Sequence, residues 1–206
     1  MPKEIYSPER RIFDATVAIE KRAEGDNSRQ VTLRAAVYNS LSKRLGWGFV
    51  ERIEPGAFDA ADISDVVAVF NHNKDILYAR TASGTLKLER DDAGLSGVFD
   101  APETSHGNDL LVMIQRGDVS KASFEFVVEK DRWVNDPDLG EVRTIEKIRK
   151  VYDISPVVFE AYPDTDVAKR SHEEFETINK PPEKQVPASV MHAEAEYQYL
   201  KVKNNH

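Results

Sequence analysis

With no cysteine in the chain, nucleophilic chemistry falls first to serine, and a serine hydroxyl is inert near neutral pH without a base to take its proton and donors for the oxyanion. The bases on offer are five histidines: His72, His106, His172, His192 and His206. The last three lie in a charged, proline-containing C-terminal stretch that offers no rigid support. His106 sits in the polar loop PETSHGND, where a solvated ring is the ordinary expectation. His72 directly follows the short apolar run 66–70, so a strand would hold its backbone while the ring reaches a cleft. The plainer reading of His72 is a histidine that merely ends a strand. Ser123 lies in KASFEFVVEK, where alternation puts Ala122, Phe124, Phe126 and Val128 on one face and Ser123, Glu125, Val127 and Glu129 on the other. It therefore falls on the more polar face, although serine on a strand is common without chemistry.

The elements that must position these residues read mainly as strands. RIFDATVAI and VTLRAAVY alternate, with Phe13, Ala15, Val17 and Ile19, then Val31, Leu33, Ala35 and Val37, on single faces. A short strand is expected at 49–53, a turn at Pro55-Gly56, and a strand at 66–70 whose end carries His72. TLKLER and LSGVFDA flank Asp91-Asp92-Ala93-Gly94 as a hairpin. One helix of about three turns is expected from the spacing of Leu110, Leu111, Met113 and Ile114, capped at Ser105 or Asn108 and ended by Gly117. In VRTIEKIRKVYDI, Val142, Ile145, Ile148 and Val151 recur every three residues, which leaves helix and strand both open. PVVFEAYPD reads as a short strand ending in a turn. The division expected is a domain over 1–168 and a flexible charged tail over 169–206.

Several classes fall away on composition. GxSxG, HExxH, P-loop and GxGxxG motifs are absent from the sequence. Without cysteine there is no disulfide framework, thiolate zinc site or cysteine nucleophile. His72, Asp75 and His106 lack the spacing of a ligand set, so neither metal nor cofactor is expected. A net charge of −8 argues against nucleic acid as a partner. No apolar run approaches the roughly 18–20 residues of a membrane span, and MPKEIYSPERR lacks the apolar segment of an export signal.

Four segments in order, ERIEPGAFD (51–59), VFNHNKDILYARTASGTLKLERDDAGL (69–95), RGDVSKASFEFVV (116–128) and YDISPVVFEAYPDT (152–165), resemble the tailed-phage prohead maturation proteases over about residues 30–166. The weight lies on Asn71-His72, on Ala79-Arg80 with Ser83-Gly84-Thr85-Leu86, and on Arg116-Gly117 ahead of Ala122-Ser123-Phe124. Two departures are Ala79, where the family often has glycine, and Glu160, where it often has proline. The resemblance implies an α+β, mainly β fold related to the herpesvirus assemblin proteases, a β-barrel-like core flanked by helices. It implies a serine endopeptidase acting inside the immature capsid in the bacterial host cytoplasm. Major capsid protein and scaffold would be its substrates, and self-cleavage would follow; self-association stays open. Ser123 matches the motif serine and His72 the motif histidine. The assemblin relatives complete the triad with a second histidine on a later strand, and none is available here, so an acid would stand in. Glu146 in RTIEKI is the first choice, since as part of a strand it would share a face with Val142 and Ile148; Asp153 is the next. Oxyanion donors are expected to be backbone N–H groups. The rival reading is a catalytically inactive relative that serves only as a capsid-assembly or scaffold-binding module.

Overall fold

The computed structural model describes residues 8–12, 16–19, 28–159 and 166–179. In chain order the described elements are β1 (Glu9–Arg11), β2 (Thr16–Ile19), β3 (Gln30–Val37), β4 (Val50–Ile53), β5 (Val67–Phe70), β6 (Asn73–Arg80), β7 (Leu86–Asp91), β8 (Gly94–Asp100), α1 (Ser105–Arg116), β9 (Lys121–Asp136), β10 (Gly140–Val157) and α2 (Asp166–Asn179). The fold is mainly β. The stretch read as one strand over 11–19 holds only the last residue of β1 and then β2, and residues 13–15 lie outside the described ones.

Alternation accounts for β3, whose Val31, Leu33 and Ala35 are fully buried; a register shift between Arg34 and Ala36 turns Ala36 inward as well. That bulge needs Gly94 opposite it, because a Cβ there would sit 2.1 Å from the Ala36 carbonyl oxygen. Helix α1 is capped by Thr104, whose side chain accepts from Gly107 N, rather than by Ser105 or Asn108. It ends as expected at Gly117, with φ 81°: Gly117 N–H donates to Ile114 O and Asp118 N–H to Met113 O, a Schellman close.

The three-residue spacing in 142–151 belongs to a strand. Register shifts interrupt the β9–β10 ladder between Ile145 and Lys147, Lys147 and Ile148, and Ile148 and Lys150. Each extra residue in a period-two strand moves the next inward position from two to three. Ile145, Ile148 and Val151 are consequently all buried, while Val142 lies in the regular ladder before them, where all of 142–145 are buried; together they give a helix-like pattern on a strand.

β9 and β10 form the spine of the sheet. β10 pairs antiparallel with β9 on one side and parallel with β4 and then β5 on the other. The sheet order is β6-β5-β10-β9-β2-β3-β8-β7, with β1 added on β9 and β4 on β10. Among the described residues this ladder does not close into a barrel, yet it curls: Tyr78 of β6 stacks on Phe99 of β8 with ring centroids 5.9 Å apart. Burial pushes the Tyr78 phenol up to about 12. Phe58, Phe124 and Phe126 fill the interior beneath the spine.

The described residues through His172 fall in one unit and those from Glu173 on in a second. Helix α2 crosses the 168/169 boundary expected for the tail. Ser171 donates to Asp131 and accepts from Trp133 Nε1, and His172 bonds Glu141 at 2.6 Å while packing against the Trp47 and Trp133 rings. These anchors are a serine and a histidine within a charged run, so no apolar periodicity announces them. Within the second unit, Thr177 closes a side-chain bond to Glu173 O. The rest of the expected tail, 180–206, and the turn expected after 159 lie outside the described residues.

Candidate active site

β5 does not simply stop at His72. Phe70 pairs with Asn73, leaving Asn71 and His72 as a two-residue hairpin turn into β6. Their φ values, 49° and 60°, are the left-handed pair that such turns demand, and asparagine and histidine tolerate that region better than most residues. The turn is tied to the end of β10: Asn71 N–H donates to Pro156 O at 3.0 Å, and Asn71 Oδ1 accepts from Val158 N–H at 3.0 Å. A tight turn with two tethers holds the imidazole more firmly than a strand end would.

The spine supplies the rest. In the β9–β10 ladder Ser123 is opposite Ser155 and Glu125 is opposite Asp153. Their polar side chains are buried together beneath the turn, with Ser123, Asp153 and Ser155 each at 0% exposure. His72 Nε2 lies 2.8 Å from Ser123 Oγ, and His72 Nδ1 lies 2.7 Å from Asp153 Oδ1. A buried carboxylate at Nδ1 accepts, so Nδ1 carries the ring proton and Nε2 offers its lone pair to the serine. Ser155 Oγ donates to Asp153 Oδ1 at 2.8 Å and accepts the His72 backbone N–H at 3.2 Å, bracing carboxylate and turn at once. Asp153 Oδ2 is buried without a hydrogen-bond partner among the described residues. This order of groups is that of a serine nucleophile, its base and the acid that orients the base.

The model of one protein family, Caudovirus prohead serine protease, matches residues 16–180. The chain belongs to that family. No curated protein and no solved structure matches it. Membership brings a serine peptidase role in prohead maturation.

Among the family-like segments, the Asn-His and Ala-Ser-Phe motifs and Asp153 and Ser155 of YDISPVVFEAYPDT converge on the site, and the Ala79-Arg80, Ser83-Gly84-Thr85 and Arg116-Gly117 motifs build around it. Arg80 clamps Asp65 through Nε at 2.6 Å and Nη2 at 2.7 Å, and Ser83-Gly84-Thr85 makes the turn from β6 to β7. Arg116-Gly117 closes α1.

Glu146 is not brought to His72. It sits on the bulged stretch of β10, where it bonds Lys130 at 2.6 Å and Arg132 at 2.9 Å, and these bonds lower its carboxyl below the usual range. The bulges rotate the strand, so the acid that reaches Nδ1 is Asp153. Ser155, which sequence reasoning passed over, joins it; the one available signal was the alternation Asp153-Ile154-Ser155, which keeps both polar side chains on one face. The face carrying Ser123 is also less open than its polar pattern suggests, for Glu125 and Val127 are buried too. His106 is exposed in the first turn of α1, and Asp75 is exposed on β6. Among the described residues one group has donor atoms all within 4.8 Å of one another, His72, Glu125 and Asp153. His72 and Asp153 are bonded to each other, and Glu125 to Arg10, so the three are already engaged as polar partners.

Beside the site lies a buried ion network. Arg143 donates to Glu9 (2.8 and 3.0 Å), Glu51 (2.7 Å) and Asp131 (2.5 Å), and Arg11 to Glu51 (3.0 Å) and Glu9 (2.6 Å). Burial opposes the Arg143 charge, but Glu51 and Glu9 hold its guanidinium well above the ordinary value.

Proposed function

We propose that this chain is a serine endopeptidase with Ser123 as nucleophile, His72 as general base and Asp153 as the acid that orients it. It acts on scaffold or on the scaffolding segment of the major capsid protein, and on itself, inside the immature capsid in the host cytoplasm. The observation that carries this reading is the unbroken run of contacts Ser123 Oγ to His72 Nε2 to Asp153 Oδ1, at 2.8 and 2.7 Å. His72 takes the serine proton as Oγ bonds to the scissile carbonyl carbon. The proton then passes to the departing amine as the C–N bond breaks, and water releases the acyl group by the same route in reverse. Asp153 stays ionised and stabilises the imidazolium. The curl of the open sheet supports an assemblin-like core.

The test is co-expression with the cognate capsid and scaffold proteins, read by intact mass. Wild type is expected to shorten them and Ser123→Ala to leave them whole. Shortening by Ser123→Ala would sink the assignment, and assembly without shortening by wild type would favour the inactive assembly module.

A further inference from the structure

Ser123 is buried, and the chain's own β1 lies beside its strand. β1 pairs antiparallel with β9 in the register Glu9–Phe126, Arg10–Glu125, Arg11–Phe124. The Arg11–Ile12 peptide therefore runs beside Ser123, and Ser123 Oγ is 3.1 Å from the Arg11 carbonyl oxygen. A serine hydroxyl has one proton and here two acceptors, Arg11 O and His72 Nε2, so the resident carbonyl competes with the base for the proton it must receive. An extended segment laid on the nucleophile's strand, its carbonyl at the nucleophile, has the arrangement of strand-addition peptide recognition. Its side chains occupy built positions: the Arg11 guanidinium lies against Glu51, which is fully buried, and the Glu9 carboxylate is gripped by both Nη1 and Nη2 of Arg143.

Resting on the proposed protease function, we infer that β1 is a stand-in for substrate. A substrate replaces it as an antiparallel strand on Phe124–Phe126, and the residue before the scissile bond is arginine or lysine, received by Glu51. An acidic residue two positions earlier is favoured by Arg143. Without β1, Glu51 and Asp131 face Arg143 alone, two carboxylates to one guanidinium, and a cationic side chain restores the balance. β1 has three residues, and its outer contacts are exchangeable: Arg10 is 48% exposed where it pairs with Glu125.

The inference is tested by giving the full-length enzyme a peptide library, made from a proteome cut after aromatic residues, and mapping new termini by mass spectrometry alongside the capsid-protein cut. Arginine or lysine is expected before the bond at least tenfold above background, with Glu51→Gln reducing that enrichment to within about twofold. Ser123-dependent cutting by wild type without basic enrichment would overturn the inference and leave the protease reading standing. No Ser123-dependent cutting of library or capsid protein would remove both. A second measurement addresses displacement of β1. In this cysteine-free chain, Arg10→Cys with Glu125→Cys places the only two thiols across the β1–β9 pair. Oxidation is expected to lower cleavage at least tenfold and reductant to restore it. A cross-linked form, verified by mass, that cuts as fast as the reduced form would overturn the proposal.

Discussion

Ser123 and Ser155 face each other across the β9–β10 ladder, and His72 is held by both: the Ser123 hydroxyl meets its Nε2 at 2.8 Å, and the Ser155 hydroxyl accepts its backbone N–H at 3.2 Å. In the proposed mechanism one serine reacts and the other braces. The turn that carries His72 is thereby referenced to the same two strands that carry Ser123 and Asp153.

Ser155→Ala removes a hydroxyl donor from the Asp153 carboxylate and an acceptor from the turn. A hydrogen bond to a charged group is worth about 1.5–3 kcal/mol, so kcat is expected to fall roughly tenfold to a hundredfold while KM holds. Steady-state kinetics on a cleaved peptide measures this. An unchanged kcat would remove Ser155 from any positioning role.

Asp153→Asn would leave Nδ1 without an ionised acceptor and favour the wrong tautomer of His72. A drop in kcat of roughly ten-thousandfold is expected, by analogy with other serine triads. Glu146→Gln should stay within about twofold of wild type, because Glu146 bonds Lys130 and Arg132 and not His72. The reverse ranking would return the orienting role to Glu146.

Glu146 belongs instead to stability. Its carboxyl is lowered from the ordinary 4.5, first by the Lys130 bond and then by the Arg132 bond. A depressed acid stabilises the fold above its unfolded value and loses that contribution as pH falls through its folded value. The Tm gap between wild type and Glu146→Gln should therefore be positive at pH 7 and shrink below about pH 4.5. Thermal melts across that range check the sign. A gap that widens on acidification would contradict it.

The Asn71-His72 turn sets both residues at positive φ. Asn71→Gly keeps the conformation and loses the bond from Val158 N–H, whereas Asn71→Ala loses the bond and meets a left-handed penalty of about 1–2 kcal/mol. Melting temperatures should rank wild type, then glycine, then alanine, with kcat in the same order. Alanine matching glycine would show that the turn is relaxed.

The contact between Ser123 and His72 was legible because one lies in clean alternation and the other abuts a compact apolar run; the family-like motifs joined them. Which acid meets His72 Nδ1 was not legible. Choosing between Glu146 and Asp153 requires the phase of β10, and the register shifts on either side of Lys147 and before Asp153 change that phase without leaving a mark in residue type. The same shifts space Ile145, Ile148 and Val151 by three and so extend from Val142 a pattern that resembles a helix face. β6 was passed over because NKDILYAR scarcely alternates, and without it the Asn71-His72 pair reads as a strand end instead of a turn. The approach of β1 to Ser123 depends on a three-residue pairing more than a hundred positions away along the chain, which no local pattern encodes.

The central claim is that Ser123 is the nucleophile and His72 its base. Treatment of wild type, Ser123→Ala and His72→Ala with a fluorophosphonate, followed by peptide mapping, tests it most directly. A single covalent adduct on Ser123 in wild type, absent from both variants, is the predicted result. An adduct on another residue, or a wild-type enzyme that cleaves capsid protein yet leaves Ser123 unlabelled, would contradict it.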